Sequence, residues 1–388
     1  MISALSVFSK MSDSITAQTI DTLDDIVASD WNRLTESKYP FLRHEFLAAM
    51  ERQDCVGNNT GWLPHHLIFE NDRRTLIAAL PMYIKHNSFG EFVFDWAWAD
   101  AYHHHGLAYY PKLVIAAPFT PATGPRILID KTYRSTDLES TIIDSTIAIA
   151  HEQNFSSLHC LFPEKATSKS QDEILIRVGC QFHWQNRSYE NFDDFLSCLK
   201  SKKRKQIKRE RRQIIDAGAR IERIQGGDVS SDQWRAFYQH YCSTFDQHGN
   251  FPALTLEFFT EIGRTMGEQI LLVLVYRGDA IIASSFFLIG HDTLYGRYWG
   301  SSENHPCLHF EACYYQGIEY CIERGIHRFE PGAQGEHKIS RGFLPTKTWS
   351  WHWIKEPAFK TAIAKFIDRE TAHMELYMAE LGQHSPYK

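Results

Sequence analysis

Apolar residues along this chain follow two rhythms. In "TDLESTIIDSTIAIAHEQ" they recur every three or four positions, which lays them along one face of a helix, and Ser135 stands where an N-cap belongs. In "LPHHLIFE" and "TLIAALPMYIKH" they are dense and short, the mark of buried strands. "NDRR" between them reads as a tight turn, so the pair predicts a hairpin. "EFVFDWAWADAYHHHGLAYY" reads as an aromatic strand running into a polar loop, "KLVIAAPF" and "PRILID" as short strands, and "FSSLHCLF" as a buried strand after the helix. Upstream, "SDWNRLTE" (capped by Ser29 or Asp30) and "LRHEFLAAMERQ" have helical spacing. The first twenty residues are too polar and too poor in basic residues for a secretion signal and read as a loose lead-in.

The second half repeats this order. A helix over Phe192–Asp216 leads to the helices "SSDQWRAFYQHYCSTF" and "LTLEFFTEIGRTM". A second hairpin follows, "QILLVLVY" and "IIASSFFLIG" around "RGDA", then the strand "DTLYGRYWGS". The helix "HFEACYYQGIEYCIERG" ends at Gly325, a suitable left-handed terminator, and the strand "IHRFEP" comes next. "TKTWSWHWI" alternates as a strand, and the tail from Pro357 is helical. Repetition at half the chain length predicts two tandem α/β domains, 1–189 and 190–388, which also suits a chain of 388 residues.

Composition adds limits. Hydrophobic residues at 43% and charged residues at 23% are those of a globular protein, and no apolar run is long enough to span a membrane. None of the 8 cysteines forms a C-x-x-C pair, and most sit in apolar segments, which predicts reduced, buried thiols and a cytoplasmic location. A net charge of -6 argues against nucleic-acid binding by bulk charge. The charge is uneven, however. "KSKKRKQIKRERR" carries nine basic residues and one acidic. On a helix, Leu196, Leu199, Lys203, Ile207 and Ile214 share a narrow edge, and Lys202, Lys203, Arg204, Lys205, Lys208, Arg211 and Arg212 become candidates for a polyanion's phosphates. The plain alternative is a solvated helix face.

A strand meander followed by a helix and a further strand resembles the GNAT acyltransferase fold. Three stretches carry a closer likeness: "GEFVFDWAWADAYHHHGLAYYPKLVIAAPFTPATGPR", "KKRKQIKRERR" and "DTLYGRYWGSSENHPCLHFEACYYQGIEYCIERGIHRFEPGAQGEHKISRGFLP". They resemble the FemAB-like family of bacterial N-acyltransferases. The resemblance implies two tandem GNAT-like domains with a basic helix at the start of the second. It also implies an activated, phosphate-bearing donor, either aminoacyl-tRNA or acyl-CoA, an amine acceptor, no tightly bound cofactor and a link to peptidoglycan.

The sharpest chemical segment is "RFEPGAQGEHKISRGF". Acyl transfer to an amine needs a base for the ammonium, a donor for the oxyanion and an acid for the leaving group. Glu330 and His337 are the candidate proton carriers and Gln334 the oxyanion donor; Glu330 with Gln334 resembles an acid–Gln pair of distant aminoacyl-tRNA-using relatives. Glu336, Lys338 and Arg341 are candidates for substrate binding. So are Asp95, Trp96, Asp100 and His104 of the first half, and Tyr298, Trp299, His309 and Glu311 of the second. Asp100 and His104 have metal-ligand spacing if helical, but consecutive histidines cannot converge on one ion, so no metal is assigned. "TPATGPR" is a Gly/Pro turn ending in a cation, able to cradle an anion. "SSENHPCLHF" lacks the Gly-rich pattern with which GNAT enzymes hold the CoA pyrophosphate, which counts against acetyl-CoA. No G-x-S-x-G, H-E-x-x-H or Walker motif occurs. From a different class, a non-catalytic binding module for a cell-wall precursor or an RNA would need the basic helix but not the concentrated acid–base loop.

Overall fold

The computed structural model describes residues 5–7, 15–35, 38–167, 173–333 and 335–388. They form two compact units, residues 1–179 with 347–375, and residues 180–346 with 376–388.

In the first unit the chain runs through β1 (Leu5–Val7), β2 (Ile15–Ile20), α1 (Ala28–Thr35), α2 (His44–Arg52), β3 (Trp62–Pro64), β4 (His66–Asn71), β5 (Leu76–Leu80) and β6 (Met82–Lys85). It continues as α3 (Trp96–His104), β7 (Lys112–Ile115), β8 (Leu128–Ile129), α4 (Thr136–Glu152) and β9 (Ser157–Leu161). The lead-in is therefore structured where it is described, since β2 pairs with β4 along its whole length. Pro81 cannot donate to a ladder, and the chain changes sheet there, β5 pairing with β4 and β6 with β7. The neighbouring pair β7 and β9 is parallel, Val114 opposite His159, with α4 as the crossover. Ser135 caps α4 by accepting from the Leu138 amide. Leu67, Phe69, Ile77, Leu113, Ile115, Ile142, Ile149 and Leu158 form the core.

The expected aromatic strand in "EFVFDWAWAD" is absent; the segment leads into α3, and the strand is β7 instead. Alternation of Phe92, Phe94, Trp96 and Trp98 mimics a strand period. Burial follows helical spacing, with Trp98 and Tyr102 inside while Phe92, Phe94 and Trp96 are exposed. The charged groups of this segment turn inward. Lys112, fully buried, donates to Glu91 and to Asp95, and the Tyr109 hydroxyl also donates to Asp95 at 2.6 Å.

β10 (Leu175–Gln185) crosses into the second unit. There follow α5 (Phe192–Ser197), α6 (Ser201–Asp216), β11 (Ala219–Gln225), α7 (Ser231–Gln247), α8 (Leu256–Thr265), β12 (Ile270–Arg277), β13 (Ala280–Ile289) and β14 (Thr293–Ser301). α9 (Leu308–Phe310) passes through a π-turn at Glu311–Tyr315 into α10 (Gln316–Arg324), then comes β15 (Arg328–Glu330). The single helix expected over Phe192–Asp216 is two, because Lys200, at ψ 141, takes an extended conformation between α5 and α6. Strand order in this unit is β11-β12-β13-β14-β15-β10, antiparallel except for the parallel pair β14 and β15. Gly325 ends α10 at φ +66.

β16 (Leu344–Ile354) and α11 (Pro357–Gln383) complete the chain. β16 pairs antiparallel with β9 of the first unit, from Ser350–Leu161 to Ile354–Ser157. β10 pairs antiparallel with β15 of the second, Trp184 opposite Phe329. Beside its parallel pair each unit thus gains one more strand, β16 from beyond the second unit in sequence for the first and the chain's own entering strand β10 for the second, and the units divide at 179, 346 and 375 rather than at a single point near 189.

Candidate active site

In the second unit, β14 and β15 run parallel from Thr293–Arg328 to Tyr295–Glu330. β15 then stops at Pro331, while β14 continues to Ser301. A bulge lies at this point: Phe286 faces Tyr298 and Phe287 faces Gly296, so Arg297 is an extra residue on β14. Bulges bend a strand and redirect its side chains, and this one turns the end of β14 beside the exit of β15.

Aromatic and imidazole groups collect there. The Trp299 and His309 rings lie 5.1 Å apart, His309 and Tyr314 5.0 Å, and Phe310 and His337 6.0 Å. His337 Nε2 is 2.9 Å from the Tyr314 hydroxyl. The loop reaches this position through Gly335, at φ +117, where a Cβ would lie 2.5 Å from the His337 ring. Lys338 is buried and donates to the Gly332 carbonyl at 2.8 Å. Burial lowers its pKa to about 8. Burial, with the positive Lys338 and Arg341 nearby, lowers His337 below the usual imidazole value. The same causes, with His337 itself, bring His309 to about 4. Both imidazoles are neutral at pH 7, and each can accept a proton.

Glu330, 3% exposed, lies at the end of β15, its carboxylate 3.3 Å from Arg328 and 3.9 Å from His183 Nδ1. His183, on β10, has its other nitrogen 3.1 Å from Gln181 Oε1. Burial first, then Arg328 and Lys338, lowers its pKa to about 3. Sequence reading misses this residue because β10 does not stand out as a strand, although Gln181 and His183 alternate with buried Phe182 and Trp184 as strand positions do. Gln334 lies outside the described residues. Glu336 is exposed and accepts from the Tyr377 hydroxyl at 2.7 Å.

Other candidates are committed elsewhere. Arg341 donates to Glu210 at 2.9 Å and to the Tyr315 hydroxyl at 3.1 Å, and all three are buried. Glu311 holds Arg211 at 3.2 Å and accepts from Gln316 at 2.8 Å. Arg341, Glu311 and Arg211 therefore tie α6 to the rest of the second unit instead of facing a ligand. Lys208 pairs with Asp193, and Lys203 and Arg204 are half-buried. Lys202, Lys205, Arg209 and Arg212 project into solvent. In the first unit, Asp95 is buried on Lys112 instead of lining a cleft. Trp96 packs edge-on against Phe89 and remains exposed. The His104 ring bonds the Asp100 carbonyl at 2.7 Å, so the i, i+4 pair meets through backbone. Among the described residues no group of three His, Cys, Asp or Glu side chains is placed to hold a metal, and no helix is long and apolar enough to cross a membrane.

The FemAB-like family, described as peptidoglycan biosynthesis/recognition, matches residues 22–388. No curated protein matches the sequence. Among solved structures, FemX is 11% identical with a TM-score of 0.55, the match covering 89% of this chain and 100% of that one. The C-terminal DUF2156 domain of an Agrobacterium fabrum protein assigned as a lysylphosphatidylglycerol synthetase is 9% identical with a TM-score of 0.53, covering 88% and 96%. At such identities the likeness is one of fold.

Proposed function

The chain belongs to the FemAB-like family of acyltransferases, and on that premise we propose that it moves an aminoacyl group from aminoacyl-tRNA to an amine of a peptidoglycan precursor. The observation that carries the choice of donor is the start of the helical run Leu308–Arg324. A free helix N-terminus binds phosphate through its amides and dipole. Here Cys307, at φ +68, touches Gln213 of α6, and the buried Glu311 carboxylate occupies the first turns. A pyrophosphate at this position would meet a carboxylate, which disfavours acyl-CoA as donor. The exposed cations of α6 supply phosphate binding of another kind, spread along a helix as a polynucleotide backbone requires.

The chemistry follows from the groups at the exit of β15. With Nε2–H donating to the Tyr314 hydroxyl, His337 presents Nδ1 to the incoming ammonium and takes its proton. The freed amine attacks the ester carbonyl. Lys338 spends one N–H on Gly332 and offers the others to the oxyanion, with Gln334 as the second proposed donor. Glu330 draws the positively charged acceptor toward the carbonyl. When the tetrahedral intermediate collapses, protonated His337 returns the proton to the departing ribose oxygen, and the new amide nitrogen sheds its second proton to water. This reading is supported by the lowered pKa of His337, which keeps it ready as a base at pH 7. It is tested by assaying transfer from charged tRNA and from acetyl-CoA in parallel. Turnover should occur with charged tRNA alone and should fall about 10²-fold or more in both His337→Gln and Glu330→Gln. Efficient acetyl-CoA turnover, or wild-type rates in both variants, would overturn it.

A further inference from the structure

The first unit holds a buried cation with no matching anion. Arg126 ends the turn Thr120–Arg126 and is 3% exposed. Its guanidinium donates to the carbonyls of Leu161 at 2.6 Å, Pro125 at 2.9 Å and Ala122 at 2.7 Å, and to the Tyr39 hydroxyl at 3.4 Å. These four bonds leave one of the five guanidinium N–H groups over. Every partner is neutral, and no carboxylate among the described residues forms an ion pair with Arg126. Arginine does not shed its proton in proteins, so it cannot relieve burial by becoming neutral. A buried charge of this kind ordinarily has a counter-charge.

Arg126 lines a cavity of about 260 Å³, whose wall also carries the cations Arg134 and Lys165 and the carboxylates Glu139 and Glu164, one positive charge in excess. Lys165 is engaged by Glu139 at 3.7 Å, and Arg134 donates to the Ile129 carbonyl. Ile127, Ile129, Ile143, Cys160 and Trp351 supply apolar wall. The cavity is slightly smaller than a drug-sized pocket, whose range begins at about 300 Å³.

We propose that this cavity is a binding site for a small organic carboxylate, the carboxylate paired with Arg126 and a short apolar body against Ile129, Ile143 and Trp351. Phosphate fits less well. A phosphate dianion wants donors on all sides, and half of this wall has none to give. The site belongs to the first unit alone and is separate from the transfer chemistry of the second.

Isothermal titration of the full-length protein with isovalerate and phenylacetate, beside acetate and inorganic phosphate, tests the assignment. Isovalerate or phenylacetate should bind one to one, acetate more weakly, and phosphate not at all. Arg126→Gln should weaken binding by about 10- to 100-fold, the worth of one charge-assisted hydrogen bond. Ile127→Trp fills the cavity from its half-buried wall without touching the guanidinium, and should abolish binding. If Arg126→Gln does not fold, Ile127→Trp decides alone. Absence of heat with every carboxylate, phosphate binding in their place, or unchanged affinity in Ile127→Trp would overturn the proposal.

Discussion

Arg211 and Arg341 show why charge in a sequence does not announce its use. Both stand among residues expected to meet a ligand, yet their guanidinium groups bind buried carboxylates of the same unit, Glu311 and Glu210. Removing one partner of a buried pair strands the other. Arg341→Met should therefore cost about 3–5 kcal/mol of stability, whereas Lys205→Met, at an exposed position, should cost almost none. Urea denaturation of the two variants measures this, and equal midpoints would contradict it. Fates of this kind are invisible in the sequence because the partners lie far apart along it: 131 residues separate Arg341 from Glu210. By contrast, contacts between near neighbours follow from local features: with Gly332 and Gly335 after β15, the loop folds back so that Lys338 reaches the Gly332 carbonyl.

At the scale of elements, hairpins and helices with regular periods are readable, and the exceptions have identifiable causes. α3 reads as a strand because its aromatic residues alternate; β10 and β11 escape notice because each is only partly buried, and β11 carries polar residues on both faces. α6 is recognisable from its charge, and its structure sharpens what should be altered. Lys202, Lys205 and Arg212 are exposed, while Arg211 is not free to bind. Reversing the charge of those three residues should weaken tRNA binding and flatten its dependence on log salt by roughly one unit for each phosphate that α6 no longer neutralises. Filter binding across a salt series gives the slope. A slope identical to wild type would reduce α6 to a solvated surface.

At the scale of the whole molecule, the many neutral buried imidazoles link stability to pH. His183, His240 and His309 titrate at about 3, 4 and 4, and burial holds His159 and His352 well below the ordinary value of 6.5. Between pH 6.5 and about 4 the unfolded chain therefore binds protons that the folded chain refuses. Stability is full above pH 6.5 and drains away as the pH falls. Glu91, raised to about 7 by burial, and Glu311, also raised by burial, work in the opposite direction, but they are two groups against these five imidazoles. The melting temperature should fall steadily from pH 6.5 to 5, above the range in which ordinary carboxylates titrate. A flat profile there would show that these histidines take up protons as readily folded as unfolded.

The closing strand of the first unit also sets a schedule for synthesis. β9 needs β16 along one edge, and all five residues of β9 are buried in the finished molecule. When the ribosome has made residue 179, that edge has no partner, and the 167 residues from 180 to 346 must be added before β16 begins to supply one. At about 5–20 residues per second this takes on the order of 10–30 s. Throughout that interval the nascent chain carries an open apolar strand of the kind that invites aggregation. Residues 1–179 released alone should be protease-sensitive and chaperone-bound, and supplying residues 347–375 as a separate segment should restore protection.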